Sequence, residues 1–383
     1  MHIFLSAAFV LLSYFPFLII FWQKKPIFPA LITGIVLVLV LGWTIAQADG
    51  DPLALARLGT RFSQGDPAGT EGYDGQFVYY IARDPNPQTV VDHLDVPAYR
   101  YQRILLPLVA RALSVGDSRV LPWMLALLGV VSQVAGTWIV ARLLAGWRVN
   151  PWYALVYGLY AGFLLAVRLD LPEPLAYGLV AAGLLAREKH HSVLSWILYG
   201  LALFAREVTL VFVIAQFAMD VLQRRWREVG GMLAVTWLPY GLFQGWLWLN
   251  FGQPGLGSGG LMATSFEWIP FMGLFRIGFE SLSYLLAMLV VFGPAILLPS
   301  IWGFFHAGKS WLTGERNVIV LALVLNALSI AVLPFSTFRE TGGLLRFACG
   351  LVLAVLLYGG RYHLKRVLNY SPLWLVLNAF LVK

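Results

Sequence analysis

Apolar stretches recur along the whole chain, over about residues 3–22, 27–47, 119–143, 151–167, 173–187, 192–205, 208–223, 229–249, 281–303, 317–335 and 343–360, with a short apolar tail from residue 371. A helix crossing the hydrocarbon core of a bilayer needs about 20 apolar residues. The pattern therefore predicts an all-α fold: a polytopic transmembrane helical bundle of about 11–12 spans, forming a single transmembrane domain over residues 1–383. The first stretch is read as a retained helix, because Met1-His2-Ile3 offers no basic start and no small-residue cleavage site precedes Lys24. Stretches 192–205 and 208–223 are individually short. They are either two spans or one broken helix around Arg206-Glu207, and the basic turn at 224–227 favours two.

Composition agrees with this pattern. The chain is 59% hydrophobic and 12% charged, against roughly 45–50% and 25% for a soluble domain, which excludes an ordinary soluble enzyme. Aromatic residues at 15% exclude a disordered chain. The lone cysteine, Cys349, excludes a disulfide within the chain. The net charge of +8 is a matter of topology rather than of nucleic-acid binding, because the charges are segregated. If the Lys24/Lys25 turn faces the cytoplasm, alternate turns there hold 14 basic and four acidic residues, a net +10. The other side holds 12 basic and 15 acidic residues, a net −3, and Lys383 completes the total. Positive residues concentrate on the cytoplasmic side, so an integral protein of the plasma (inner) membrane is expected, with its acid-rich side outside.

That outer side carries the one large polar insertion, residues 49–120. Loops of this length are usually functional or disordered, and this one has helical spacing. Residues 74–83 place Phe77, Val78, Ile81 and Ala82 at helical spacing, with Asp74 at the start and Asp84-Pro85 as the stop. Residues 101–114 place Ile104, Leu105, Leu108, Val109 and Leu113 on one face, with a kink expected at Pro107. Both segments read as amphipathic helices lying in the membrane interface. Tyr73, Phe77, Tyr79, Tyr80, Tyr99 and Tyr101 are expected at headgroup depth.

Two short amphipathic helices after an early span, the first opened by an acid in Tyr73-Asp74-Gly75-Gln76-Phe77, resemble the first outer loop of GT-C glycosyltransferases. These are polytopic enzymes that use polyprenyl-phosphate-linked sugars and include mannosyltransferases of lipid-anchor and cell-wall synthesis. The motif resemblance covers roughly residues 49–115 and is one of architecture elsewhere. It implies Asp74 as catalytic base or metal ligand, with Asp49-Gly50-Asp51 similar to a paired-acid pattern. No cofactor is implied with certainty, and a divalent cation stays open. Helix capping is the plainer explanation of an acid at position 74, but the length and interfacial setting of the loop favour a catalytic role, and Tyr73 and Gln76 are candidates for positioning substrate.

Further charges sit at span ends on the same side: Arg168, Asp170 and Glu173; Arg206 and Glu207; Arg339 and Glu340; and Arg346 inside the next helix. Ionisable groups at such depth are costly and usually line a cavity or pair with one another. Arginines there are candidate partners for a lipid phosphate, and the acids for a sugar hydroxyl. The plainer reading is that each sequence-adjacent pair neutralises itself. Other signals carry less. The glycine-rich stretch 251–260 lacks the Lys-Ser/Thr of a phosphate loop and reads as a flexible outer loop, a linker rather than a lid, while His190-His191 and His93 with Asp92 and Asp95 read as solvated turns. The expected function is transfer of a sugar, by inverting single displacement, from a polyprenyl-phosphate donor to an acceptor glycan, lipid or protein on the outer face. Membrane lipids are partners and nucleic acid is not. A transporter or flippase of a lipid-linked or anionic substrate is the alternative.

Overall fold

Every regular element among the described residues is helical, as a chain built from apolar runs requires. The structure is a computed structural model and describes residues 25–381; the apolar stretch at 3–22, Lys24 and Lys383 lie outside the described residues. Among the described residues, four helices are long and apolar enough to cross a membrane: Ile27–Ala46, Leu121–Gly146, Leu282–Leu312 and Thr341–Arg361. The last is central, with 83% of its apolar window inside the protein, against 28% for Ile27–Ala46 and 33% for Leu282–Leu312. The outward faces of the two peripheral helices are themselves apolar, with Ile35, Val38, Leu39 and Val290 all exposed. This reverses the arrangement of a water-facing helix.

Local chemistry shifts some of the expected boundaries. The stretch at 151–167 is not one helix. It breaks between Ala154–Gly158 and Ala161–Arg168, where Tyr160 is extended and its hydroxyl donates to the Leu345 carbonyl. Pro239 and Pro299 have no N–H for the carbonyls four residues back, and each follows a π-helical turn, Leu233–Trp237 and Gly293–Leu297. The Ala295 carbonyl opposite Pro299 accepts instead from the Trp374 indole.

Pairing between turns shows which helix ends meet. Helix Glu173–Glu188 carries Glu173 to one end of the bundle and Arg187 to the other. Ser192–Ala205 returns to Arg206, which pairs with Glu173, and Leu210–Leu222 leads back to Asp220, which pairs with Arg187. Residues 192–223 are thus two helices joined at an extended Arg206, not one interrupted helix. Trp147 meets Glu188 and Arg361, Glu228 meets Arg187, Ser310 meets Tyr358, and Asn317 meets Tyr362. The basic turns therefore gather at one end, and the acids and arginines around Asp74 gather at the other. Between the ends, helices pack through small residues. A Cβ on Gly136 would come within 3.3 Å of the Gly178 Cα, so 121–146 and 173–188 approach backbone to backbone.

The 49–120 insertion contains the two expected helices, Gly75–Arg83 and Leu105–Leu113; the first is not laid out on an interface, while the second keeps Leu108 and Leu113 exposed. Residues 75–82 are all buried. Phe77, Tyr79, Tyr80 and Tyr101 form a core with Leu106, Ala110, Leu121 and Leu125, because the loop folds its first helix against the second and against the 121–146 helix. Those aromatics are a packing layer, not an exposed belt. Pro107 makes no kink: it is the third residue of its helix, in the first turn, where no N–H is needed.

Candidate functional site

The start of the 75–83 helix is fixed by backbone contact. A Cβ on Gly75 would lie 2.1 Å from the Leu169 carbonyl oxygen and 3.2 Å from that of Ala56, so the residue after Asp74 is wedged between two other segments and only glycine fits. Gln76 secures the same corner. Its amide oxygen accepts from the Gly59 N–H at 3.0 Å and its amide nitrogen donates to the Glu71 carbonyl at 2.7 Å. Both ends of this buried side chain are engaged by backbone, so Gln76 shapes the loop and does not face the charged group.

Asp74, held at that helix start, does not cap it; its carboxylate accepts no N–H from the helix. Oδ1 instead accepts from Arg100 Nη1 at 2.9 Å, and Oδ2 lies 2.8 Å from Arg346 Nη2. Each arginine holds a second acid. Arg100 forks onto Asp95 at 2.7 and 2.8 Å, and Arg346 Nε donates to Glu173 at 2.6 Å. Glu173 in turn pairs with Arg206. The result is a chain of alternating sign, Asp95, Arg100, Asp74, Arg346, Glu173, Arg206, which sums to zero. Beside it Arg103 forks onto Glu207 at 2.9 and 2.5 Å. Arg206 and Glu207 therefore do not neutralise each other; each is paired across the bundle. Arg206 keeps a buried Nε with no hydrogen-bond partner and lies 5.5 Å from the Phe347 ring.

Asp74 is the member of this chain that solvent reaches. Its side chain is 26% exposed, against at most 9% for the other five. Burial would raise its carboxyl pKa, but the Arg346 and Arg100 guanidinia outweigh burial and hold it well below the usual carboxylate range. Tyr73 stands beside it. Its hydroxyl donates to Glu340 at 2.9 Å and accepts from Arg346 Nη1 at 3.2 Å. Burial pushes Tyr73 up to about 12, so it remains a neutral phenol. Glu340 forms the exposed rim, and Arg339 points away, towards Glu280 at 3.9 Å and the Phe335 ring.

Two expected members stand apart. Arg168 donates to the Leu381 carbonyl. Asp170, at φ +53°, is buried with neither carboxylate oxygen partnered, and burial pushes its pKa well up. A carboxyl raised on folding contributes stability at low pH that is lost as pH rises above its unfolded value. Asp170→Asn, which tolerates the left-handed backbone, should therefore raise the melting temperature at pH 7, and the gain should shrink towards pH 4. Melting curves at the two pH values check this.

Sequence reasoning missed Asp95, Arg100 and the pairing of Arg103. The available signal was Arg100 and Arg103 on a short segment between Pro97 and Pro107, five residues after Asp95. It also set aside the glycine-rich strap, which crosses this group: the Leu261 N–H donates to Asp95 at 3.3 Å, and a Cβ on Gly260 would lie 3.1 Å from Arg100. Asp51 caps the turn Pro52–Leu55. His93 bonds the Phe62 carbonyl and stacks on Tyr80. A divalent cation does not fit the group, because Asp95, Asp74 and Glu173 are each matched by an arginine, and no cluster of three metal-ligating side chains occurs among the described residues. No protein-family model, curated protein or solved structure matches this chain.

Proposed function

We propose that this protein is an integral-membrane glycosyltransferase of the kind its first loop resembles, moving a sugar from a polyprenyl-phosphate donor to an acceptor hydroxyl on the outer face. One observation carries the reading: an alternating chain of buried arginines and acids at one end of the bundle, with a single solvent-reached carboxylate, Asp74, between two guanidinia. In the transfer, the acceptor oxygen attacks the anomeric carbon and its proton passes to the Asp74 carboxylate. The bond from that carbon to the phosphate oxygen breaks, and the electron pair leaves with the polyprenyl phosphate, whose charge an arginine holds. A carboxylate held by two guanidinia is a weak base. Asp74 gains basicity when Arg346 or Arg100 turns to the donor phosphate, which competes for the same bidentate donors. Tyr73 and Glu340, at the rim, are suited to sugar hydroxyls.

The gathering of basic turns at the opposite end supports an outward-facing Asp74 in the plasma (inner) membrane, and the helices between the two ends are read as a polytopic bundle around the central 341–361 helix. A transporter would set its ionisable groups at breaks near the midplane. Here the breaks at Tyr160 and at the two π turns hold no charged residue, and the charges lie at the ends, which favours the enzyme.

Donor binding tests the reading. Arg346→Lys keeps the charge but loses the fork, and should weaken binding of a polyprenyl-phosphate sugar by about tenfold, with Arg346→Ala weaker still. Equal affinity in all three proteins, measured by titration in detergent, removes Arg346 from the donor site.

A further inference from the structure

At the end of the bundle away from Asp74, a cleft of about 470 Å³ opens between the 187–192 turn and the residues that begin the 226–251 helix. Its volume falls within the range of ordinary small-ligand pockets. Its floor joins one guanidinium to two carboxylates. Arg187 pairs with both Asp220 and Glu228, and Glu228 also accepts from Ser192 at 2.8 Å and from the Trp196 indole at 3.2 Å. Arg225 and Arg227 line its walls, both exposed, and among the described residues neither forms an ion pair with an acid. Three arginines against Asp220 and Glu228 leave the cleft with a net positive charge, and Arg225 and Arg227 keep their guanidinium donors free of carboxylate, which suits a phosphate.

The surroundings indicate what carries the phosphate. Trp226, between the two arginines in sequence, is 64% exposed at the rim, and Val193, Leu194 and Leu222 are exposed on the adjoining helices. An exposed indole beside apolar side chains suits the boundary between headgroups and acyl chains, and a basic pocket at that depth suits an anionic lipid headgroup. The geometry points to a second ligand site, separate from the Asp74 group: the cleft between Arg225 and Arg227 binds a phosphate ester, in the membrane the headgroup of an anionic phospholipid. A basic turn that serves only to orient the chain requires no cleft and no selectivity, and this gives the discriminating control.

The test is thermal unfolding of the full chain in neutral detergent, titrated separately with dioctanoyl phosphatidylglycerol, dioctanoyl phosphatidylcholine and inorganic phosphate. Phosphatidylglycerol should raise the melting temperature saturably, by linkage to the folded state, and phosphatidylcholine should not. In the double variant Arg225→Gln with Arg227→Gln, the concentration for half-maximal shift should rise by about tenfold or more. The charge-matched double variant Lys365→Gln with Arg366→Gln, in another exposed basic turn, should behave as the parent. Since Arg225 and Arg227 form no ion pair, the unliganded melting temperature of their variant should match the parent, which confirms that it folds. An equal loss in both double variants, or an equal shift with phosphatidylcholine, overturns the site. Saturation by inorganic phosphate with the same arginine dependence keeps the phosphate pocket and overturns the lipid as its source.

Discussion

Sugar transfer by Asp74→Asn is expected to fall by about 10²–10⁴, the usual contribution of a positioned general base, while the donor still binds. The substitution keeps the side chain's shape and removes its charge and basicity. The structure also changes the expectation for stability. Asp74 makes no capping bond, so asparagine cannot preserve its role by capping; it loses two charge-assisted contacts, to Arg100 and Arg346. Those arginines keep Asp95 and Glu173, which limits the cost to about 1.5–3 kcal/mol. Because folding lowers the Asp74 pKa, its stabilisation is fully present above the unfolded value near 4 and is lost as pH falls through the depressed folded value. The melting difference between parent and variant should therefore be largest at neutral pH and close in strong acid. Transfer and melting measured on the same preparations separate the roles. Near-parental transfer would remove Asp74 as base whatever the melting temperature did.

Glu173→Gln should have the largest effect on stability, about 3–5 kcal/mol, the cost of leaving a buried charge without its partner. Glu173 is fully buried and serves both Arg206 and Arg346. Without it Arg346 keeps Asp74, but Arg206 keeps no acid and already has a buried Nε unpartnered. Arg339→Gln is the matched control: its one ion pair among the described residues is long and exposed, so its removal should leave stability within about 1 kcal/mol of the parent. Chemical unfolding of the three proteins gives the comparison. A Glu173→Gln midpoint near that of Arg339→Gln would mean that the chain of charges is not carrying the bundle's end.

The helices were legible in the sequence because an apolar run has few alternatives, and the two ends were legible because charge interrupts those runs only at turns. Partner choice was not. Asp74 meets Arg346, and Glu173 meets Arg206, across intervals of sequence that no local rule spans, so neighbours such as Arg206 and Glu207 were natural but mistaken partners. The break at Tyr160 was hidden because Leu159 and Tyr160 are as apolar as their surroundings, and the helix ends there for a tertiary hydrogen bond. Phe77, Tyr79 and Tyr80 were read as interfacial because aromatic side chains suit headgroup depth; what buries them is the fold of the rest of the loop. Gln76, two residues beyond the acid, points to backbone because helix geometry sets it about 160° from Asp74 around the axis.

The wedge at Gly75 bears on how such a protein can change over time. Asp74 takes its place from the backbones of Ala56 and Leu169, one within the loop and one in the bundle, so the loop is not a module that can be exchanged for another. A graft or a length change between residues 70 and 76 would displace the acid itself. The exposed stretches at 63–68 and 115–119 touch neither contact, and they are where insertions and new sequence can accumulate while the position of Asp74 is inherited unchanged.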